Sequence, residues 1–142
     1  MSADEFHRLL AELWTRPYYF KLVDKVPVPI AVSSPPKVED SEQITKAFDR
    51  DRRVADDLVG PYRVSTVFLV IDHDFSFKGP PVLFETMVFG RETDYQDRYC
   101  TWDAAVAGHT KAVKLYRRKY WLGLPLQPFV RFGLYLKWLF WD

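Results

Sequence analysis

The stretch "VSTVFLVIDHDF", residues 64–75, decides the fold because five consecutive apolar side chains, 67–71, fill its middle. A strand that is apolar at every position is covered on both faces, which places it at the centre of a sheet. A second stretch, "PPVLFETMVFG" at 80–90, follows after a short loop with "KGPP" near its tip. We therefore predict an antiparallel pair of strands, 62–72 and 82–89.

The strongest helical pattern in the chain begins after Thr101, whose hydroxyl is placed to cap a helix. Its apolar face repeats at steps of four and three residues and comprises Trp102, Val106, His109, Val113, Tyr116 and Tyr120. A helix with such a face packs on a sheet. We predict that this helix covers the two strands.

The remaining segments predict smaller elements around this centre. A second helix is expected over about 40–57, with Ile44, Phe48 and Val54 facing inward, after a loop at 33–42. A short amphipathic helix is expected over 3–14, and an edge strand or extended arm over 18–32, where Pro27 and Pro29 remove ladder donors. The sequence thus predicts one α+β domain spanning 1–142, a small antiparallel sheet packed by helices.

Composition limits the classes of protein to which the chain can belong. The chain has 142 residues and a formal net charge of +1, so it creates no global basic field that would attract nucleic acid. Cys100 is the only cysteine, which excludes an internal disulfide framework and fits a reducing cytosol. The N-terminus lacks the apolar run of a signal peptide. We expect a cytosolic protein without a cofactor.

The last segment, 121–142, is an aromatic C-terminal extension. A membrane span needs about 20 apolar residues, but Pro125 and Pro128 interrupt this segment and Arg131 and Lys137 would lie at hydrocarbon depth. An apolar helix over 129–141 is expected to belong to the core, to a protein interface or to a membrane-surface contact. The candidate interface residues are Trp121, Phe129, Phe132, Tyr135, Trp138, Phe140 and Trp141.

The acidic triplet at the end of the first strand has two interpretations. Asp72, His73 and Asp74 could form a catalytic or metal site, or the strand could simply turn into solvent there. Neighbouring strand residues point to opposite faces, so Asp72 and His73 diverge, and His73 lies about 13 Å from Glu85 along the strand direction. We expect a carboxylate side chain to form a turn and no metal to bind.

Glu85 is the other unusual residue, because it lies in a strand that otherwise reads as buried. A buried carboxylate needs a partner, and the candidates are His109 first and Arg98 second. The pair is either structural or a proton-transfer site. Cys100 precedes a helix start, which could lower its pKa, but no spacing assigns it a base.

The strings "RRVA", "VSTVFLVIDHDF", "PPVLFETMVFG" and "RYCTWDAAVAGH" resemble a family of small proteins encoded by tailed bacteriophages and prophages, with no assigned function. The resemblance covers about 50–115 and an N-terminal "YYF", and it excludes the aromatic tail. This chain departs from the family at 74–79, where "DFSFKG" replaces a glycine-rich loop. The resemblance implies a viral accessory protein that acts in the host bacterial cytoplasm.

Three functions are compatible with these patterns. The first is a protein that binds a host or viral factor, or itself, through an aromatic interface. The alternative is a small acid-base or metal-dependent enzyme that uses Glu85, His109, Asp72, His73 and Arg98. The third is a nucleic-acid or nucleotide binder that uses "KAFDRDRR" and "KLYRRK". We expect the binding protein.

Overall fold

A computed structural model describes residues 5, 16–76, 78–91 and 93–123. In chain order the elements are β1 (Phe20–Val23), β2 (Val26–Pro29), α1 (Val38–Asp49), β3 (Arg53–Val59), β4 (Tyr62–Phe68), β5 (Phe84–Phe89), β6 (Gln96–Tyr99) and α2 (Trp102–Gly123). In this part of the chain all strand pairs are antiparallel. The predicted α+β fold is confirmed.

The larger sheet is a meander of four strands in the order β3-β4-β5-β6. The predicted pair is β4 with β5, and β4 has a neighbour on each side, as expected for a central strand. Pairing the predicted strand ends, Asp72 with Val82, would place Glu85 opposite Leu69, but Glu85 lies opposite Val67. This offset of two residues keeps every side chain on its predicted face, because strand faces alternate with a period of two.

The first strand ends four residues earlier than predicted because the backbone turns sharply at Val70. Val70 has a φ of 70° although it is β-branched and fully buried, a conformation that costs about 1–3 kcal/mol. After this turn the chain pairs with a different partner: Phe20 N–H donates to the Val70 carbonyl, and Ile71 forms a bridge with Tyr19. Val70 thus joins the meander to the hairpin.

The helix α2 packs across one face of the meander and contacts all four of its strands. Thr101 caps it as predicted, because its Oγ1 accepts a hydrogen bond from Ala104 N–H. The buried residues are Ala105, Gly108, His109, Ala112, Val113 and Tyr116. The predicted face is therefore right at its centre and wrong at Val106, which is exposed. The described part of α2 runs to Gly123. The predicted helix over 129–141 lies outside the described residues.

The helix predicted over 40–57 is wrong in its second half, because α1 ends at Asp49 and β3 begins at Arg53. The Asp51 carboxylate accepts a hydrogen bond from Arg53 N–H, which stabilises a turn between the two elements. Gly60, with a φ of 58°, then reverses the chain and pairs β3 with β4. Pairing along the sheet edge thus outweighs helix propensity in this segment.

The predicted edge strand over 18–32 is a two-stranded hairpin, β1 with β2. Asp24 and Lys25 both have positive φ, which is the geometry of a tight hairpin turn. Pro27 and Pro29 are tolerated in this separate, small sheet. Of the helix predicted over 3–14, only Glu5 is described, and it is helical.

Two apolar clusters form the core of the described residues. The first cluster joins the hairpin and α1 to one end of the meander and contains Phe20, Ile30, Ala47, Phe68, Val70, Leu83, Phe84 and Ala105. The second cluster joins α2 to the other end and contains Val59, Val64, Val88, Ala112, Val113 and Tyr116. None of the helices described here is long and apolar enough to cross a membrane.

Candidate functional site

A chain of polar side chains, all buried except Asp57, crosses the face of the meander that α2 covers. His109 Nε2 lies 2.8 Å from Asp57 Oδ2, and His109 Nδ1 lies 2.8 Å from Thr66 Oγ1. Thr66 Oγ1 in turn lies 2.6 Å from Thr86 Oγ1. An ionised carboxylate only accepts, so His109 Nε2–H donates to Asp57. In the neutral imidazole with this tautomer, Nδ1 accepts from the Thr66 hydroxyl, which then accepts from Thr86.

Two tyrosines extend this polar interior toward β6. The ring of Tyr99 lies against Gly108 of α2, and Thr86 and Asp97 are polar neighbours of its hydroxyl. Burial of this hydroxyl raises the pKa of Tyr99 to about 12. In the described part of the chain, neither Tyr99 Oη nor Tyr95 Oη makes a hydrogen bond of standard geometry. Both phenols therefore stay neutral.

Asp57, His109 and Thr66 are connected in the order carboxylate, imidazole, hydroxyl, as in a nucleophilic triad. Here, however, the carboxylate is exposed and the hydroxyl is buried. The Thr66 side chain is fully buried, whereas the Asp57 side chain is 58% exposed. A nucleophile must reach its substrate, and this hydroxyl faces the protein interior. The arrangement satisfies polar groups under α2 and fixes how the helix sits on the sheet.

Glu85 is buried and paired, as the sequence predicts, but its first candidate partner is wrong. Arg98 Nε donates to Glu85 Oε1 at 2.8 Å, and Gln96 Nε2 donates to the same oxygen at 2.6 Å. Glu85 and Thr86 are neighbours in β5 and point to opposite faces. Because Thr86 belongs to the His109 network, Glu85 and His109 are on opposite sides of the sheet and cannot act together.

Asp72 forms a structural junction at the end of the central strand. It is 2% exposed and accepts hydrogen bonds from the backbone N–H groups of Asp74 and Val82. The Arg16 guanidinium also donates to it, with Nη2 at 2.7 Å. The predicted turn through an aspartate side chain is confirmed, but the expectation that the chain enters solvent here is wrong for Asp72, which is buried. Arg16, 56 positions away, carries no local signal in the sequence.

Asp74 completes this junction. Its carboxylate accepts hydrogen bonds from Ser76 and from Gly79 N–H, and it pairs with Arg16 at 3.3 Å. The bond from the Ser76 hydroxyl is the main reason that the pKa of Asp74 is lowered. The two carboxylates thus converge on the Arg16 guanidinium.

His73 is half-buried at the rim of the loop. Its Nδ1 lies 2.8 Å from the Ile71 carbonyl, to which it donates, and its ring packs beside Phe75. Across the described ranges, no three His, Cys, Asp or Glu side chains gather into a group that could hold a metal ion.

The expectation that the helix start lowers the pKa of Cys100 is wrong. Burial raises the pKa of its thiol, and the carboxylates of Asp72 and Asp74 raise it further. A position before a helix start therefore does not activate this cysteine, because the neighbouring negative charges disfavour the thiolate.

Exposed apolar side chains gather toward the end of α2. Leu115 is half exposed, Trp121 is 41% exposed and Leu122 is 60% exposed. Trp121 is the first of the predicted interface residues. The others, Phe129, Phe132, Tyr135, Trp138, Phe140 and Trp141, lie outside the described residues.

The geometry defines an α+β protein, a four-stranded antiparallel meander with one covering helix and an attached hairpin. Comparison with protein-family models, with curated proteins and with solved structures found no match to this chain.

Proposed function

We propose that this chain is a binding protein that self-associates and engages a host or viral factor through the end of α2 and the aromatic segment that follows it. The observation that carries the proposal is the exposure of Trp121 and Leu122 where this segment begins. The resemblance to a bacteriophage family extends the proposal to a phage-encoded accessory protein in the host bacterial cytoplasm.

The position of the exposed side chains on α2 supports an interface. Leu115 and Leu122 are seven residues apart, so they lie on one flank of the helix about two turns from each other. Buried Ala112 lies about 60–80° from these leucines around the helix axis, so the apolar flank borders the face that packs on the sheet. Both leucines are nevertheless exposed, and they are available to a partner.

The sequence continues this apolar character past Gly123. Residues 121–141 contain three tryptophans, with Arg131 and Lys137 as the charged side chains. Tryptophan, tyrosine and phenylalanine are the usual anchors of protein interfaces because each buries a large area at low entropic cost. We infer that the tryptophans are anchors and that the two cations reach the rim.

The distribution of the candidate catalytic residues also favours binding over the enzyme alternative. Glu85 with Arg98 lies on one face of the sheet, His109 lies on the other, and Asp72 with His73 lies at the strand end. A reaction centre requires such groups within reach of one substrate atom. These groups instead satisfy one another or the backbone.

The test is the double substitution Trp121→Gln with Leu122→Gln, measured by light scattering. We expect an oligomer for the wild type and a monomer for the variant, with the melting temperature little changed because both side chains are exposed. The matched control is Leu58→Gln with Val106→Gln, which removes two exposed apolar side chains elsewhere and should leave the mass unchanged.

Partner capture from infected host cells completes the test. A protein that wild type and control both retain, and that the double variant loses, supports the proposal. A wild type that is monomeric at micromolar concentration and retains no such protein contradicts it. A variant that unfolds would place these side chains in the core.

A further inference from the structure

Outside the proposed interface, a groove between the hairpin and α1 carries an unusual set of charges. Its lining residues are Lys21 of β1 and Gln43, Lys46, Ala47 and Arg50 from α1 and its C-terminal end. Three of these five side chains are cations in a chain whose formal net charge is only +1. The local charge is therefore far from the average of the molecule.

Helical spacing explains why these α1 residues face the same groove. Gln43, Lys46 and Arg50 follow at steps of three and four, which places them on one flank of the helix. The nearby acid Asp49 is rotated about 100° from Arg50 around the axis, so its carboxylate lies on a different side. The sequence run "KAFDRDRR" is mixed in charge, whereas the groove itself is basic.

The pairing of these cations leaves the groove without a strong internal counter-ion. Lys46 has a carboxylate partner, Glu42, at 3.9 Å, with both side chains mostly exposed, and such a pair contributes little. Within the described residues, Lys21 and Arg50 have no salt bridge or hydrogen bond through their side chains. An anion in the groove would therefore be attracted without displacing a strong ion pair.

A structural role accounts for only part of this arrangement. Lys46 lies in the last turn of α1, and Arg50 is the residue at its C-cap position. Cations there offset the negative end of the helix dipole. Lys21 belongs to another element, so the dipole of α1 does not account for its position. Three cations converge because two elements meet at the groove.

We propose that this groove binds the phosphate group of a nucleotide or of a single-stranded nucleic acid. The cations supply charge, the Gln43 amide supplies hydrogen-bond donors, and the buried Ala47 forms an apolar floor. Among the described residues, no aromatic side chain lines the groove, so they offer bases no stacking platform there. The site therefore reads phosphate and not base identity.

The experiment compares three proteins for binding of a short fluorescein-labelled single-stranded DNA, by anisotropy at several salt concentrations. The groove variant is Lys21→Gln with Arg50→Gln. The matched control, Lys111→Gln with Arg118→Gln, removes two exposed cations from α2. We expect the groove variant to bind about tenfold more weakly, with a salt slope smaller by about 1.4, since each phosphate contact on a single strand contributes about 0.7.

A second arm separates the two sources of phosphate. Inorganic phosphate and adenosine monophosphate are titrated while amide NMR spectra are recorded. Shifts at Lys21, Gln43 and Arg50 without DNA binding identify a small phosphate ligand, and DNA binding without those shifts identifies the polymer. Either result supports the proposal. Equal weakening of DNA binding in groove variant and control, or no binding of any probe at low salt, overturns it.

Discussion

At the scale of single residues, Gly108 sets how closely α2 approaches β6. A Cβ built at this position would overlap the hydroxyl and ring carbons of Tyr99. We predict that Gly108→Ala lowers the free energy of unfolding by about 1–3 kcal/mol through overpacking, although alanine is the better helix former. The measurement is urea unfolding followed by circular dichroism.

A double-mutant cycle checks this cause. In a Tyr99→Ala background the overlap is gone, so Gly108→Ala should become neutral or stabilising by up to about 1 kcal/mol. Gly123→Ala is the control, because a Cβ there meets no atom of the described residues within 4 Å. An equal cost of Gly108→Ala in both backgrounds would show that Tyr99 is not the obstacle.

Residue types predicted burial better than they predicted partners. Glu85 and His109 read as buried polar groups because their neighbours are apolar, and both are buried. Their partners depend on strand register and on which face α2 covers, and neither is encoded locally. The sequence therefore placed Glu85 with His109, whereas Asp57 and Thr66 are the partners of that imidazole.

At the scale of elements, α1 depends on Asp40 at its first turn. The carboxylate accepts hydrogen bonds from the backbone N–H groups of Lys37 and Ser33, and the Lys37 bond is the main reason that its pKa is lowered. A lowered folded-state pKa contributes stability above the unfolded value of about 3.9, which is lost as pH falls through the folded value.

Asp40→Asn should therefore lower the melting temperature by a few degrees at pH 7. It should also make the fall of the melting temperature between pH 5 and pH 2 shallower, because one lowered pKa has been removed. Glu39→Gln is the matched control, an exposed acid in the same turn. A variant whose acid limb has the wild-type slope would argue that the Asp40 bonds contribute no stability.

Elements with strong periodicity were predictable, and elements held by pairing alone were not. The centre of the α2 face and the β4-β5 pair were correct because long apolar repeats specify them. In β3, the residues that point toward α2 are Ala55, Asp57 and Val59. Because one of these three is charged, the strand sequence does not alternate cleanly between apolar and polar residues. Its strand state is stabilised by β4 next to it.

At the scale of the whole molecule, the two apolar clusters divide the core unequally. The hairpin and α1 are held to the meander by the first cluster and by a few backbone bonds, such as Phe20 N–H to the Val70 carbonyl. The meander is held by continuous strand ladders and by α2. We infer that the hairpin and α1 open as one unit while the meander stays folded.

Hydrogen exchange of the native protein tests this division with two substitutions that destabilise different parts of the molecule. Ile30→Val removes one buried methylene from the hairpin side, which costs about 0.5–1.5 kcal/mol. Exchange should then accelerate by about 2- to 13-fold in β1, β2 and α1 and stay unchanged in β3–β6. Val64→Ala, in the second cluster, should accelerate the meander amides and leave the hairpin amides unchanged. If either substitution accelerates exchange equally in every element, the molecule opens only as a whole.

The division also bears on the proposed phosphate groove, because Lys21 and Arg50 belong to the unit that opens first. A ligand that bridges them closes that unit, so phosphate or DNA should slow exchange in β1, β2 and α1 alone.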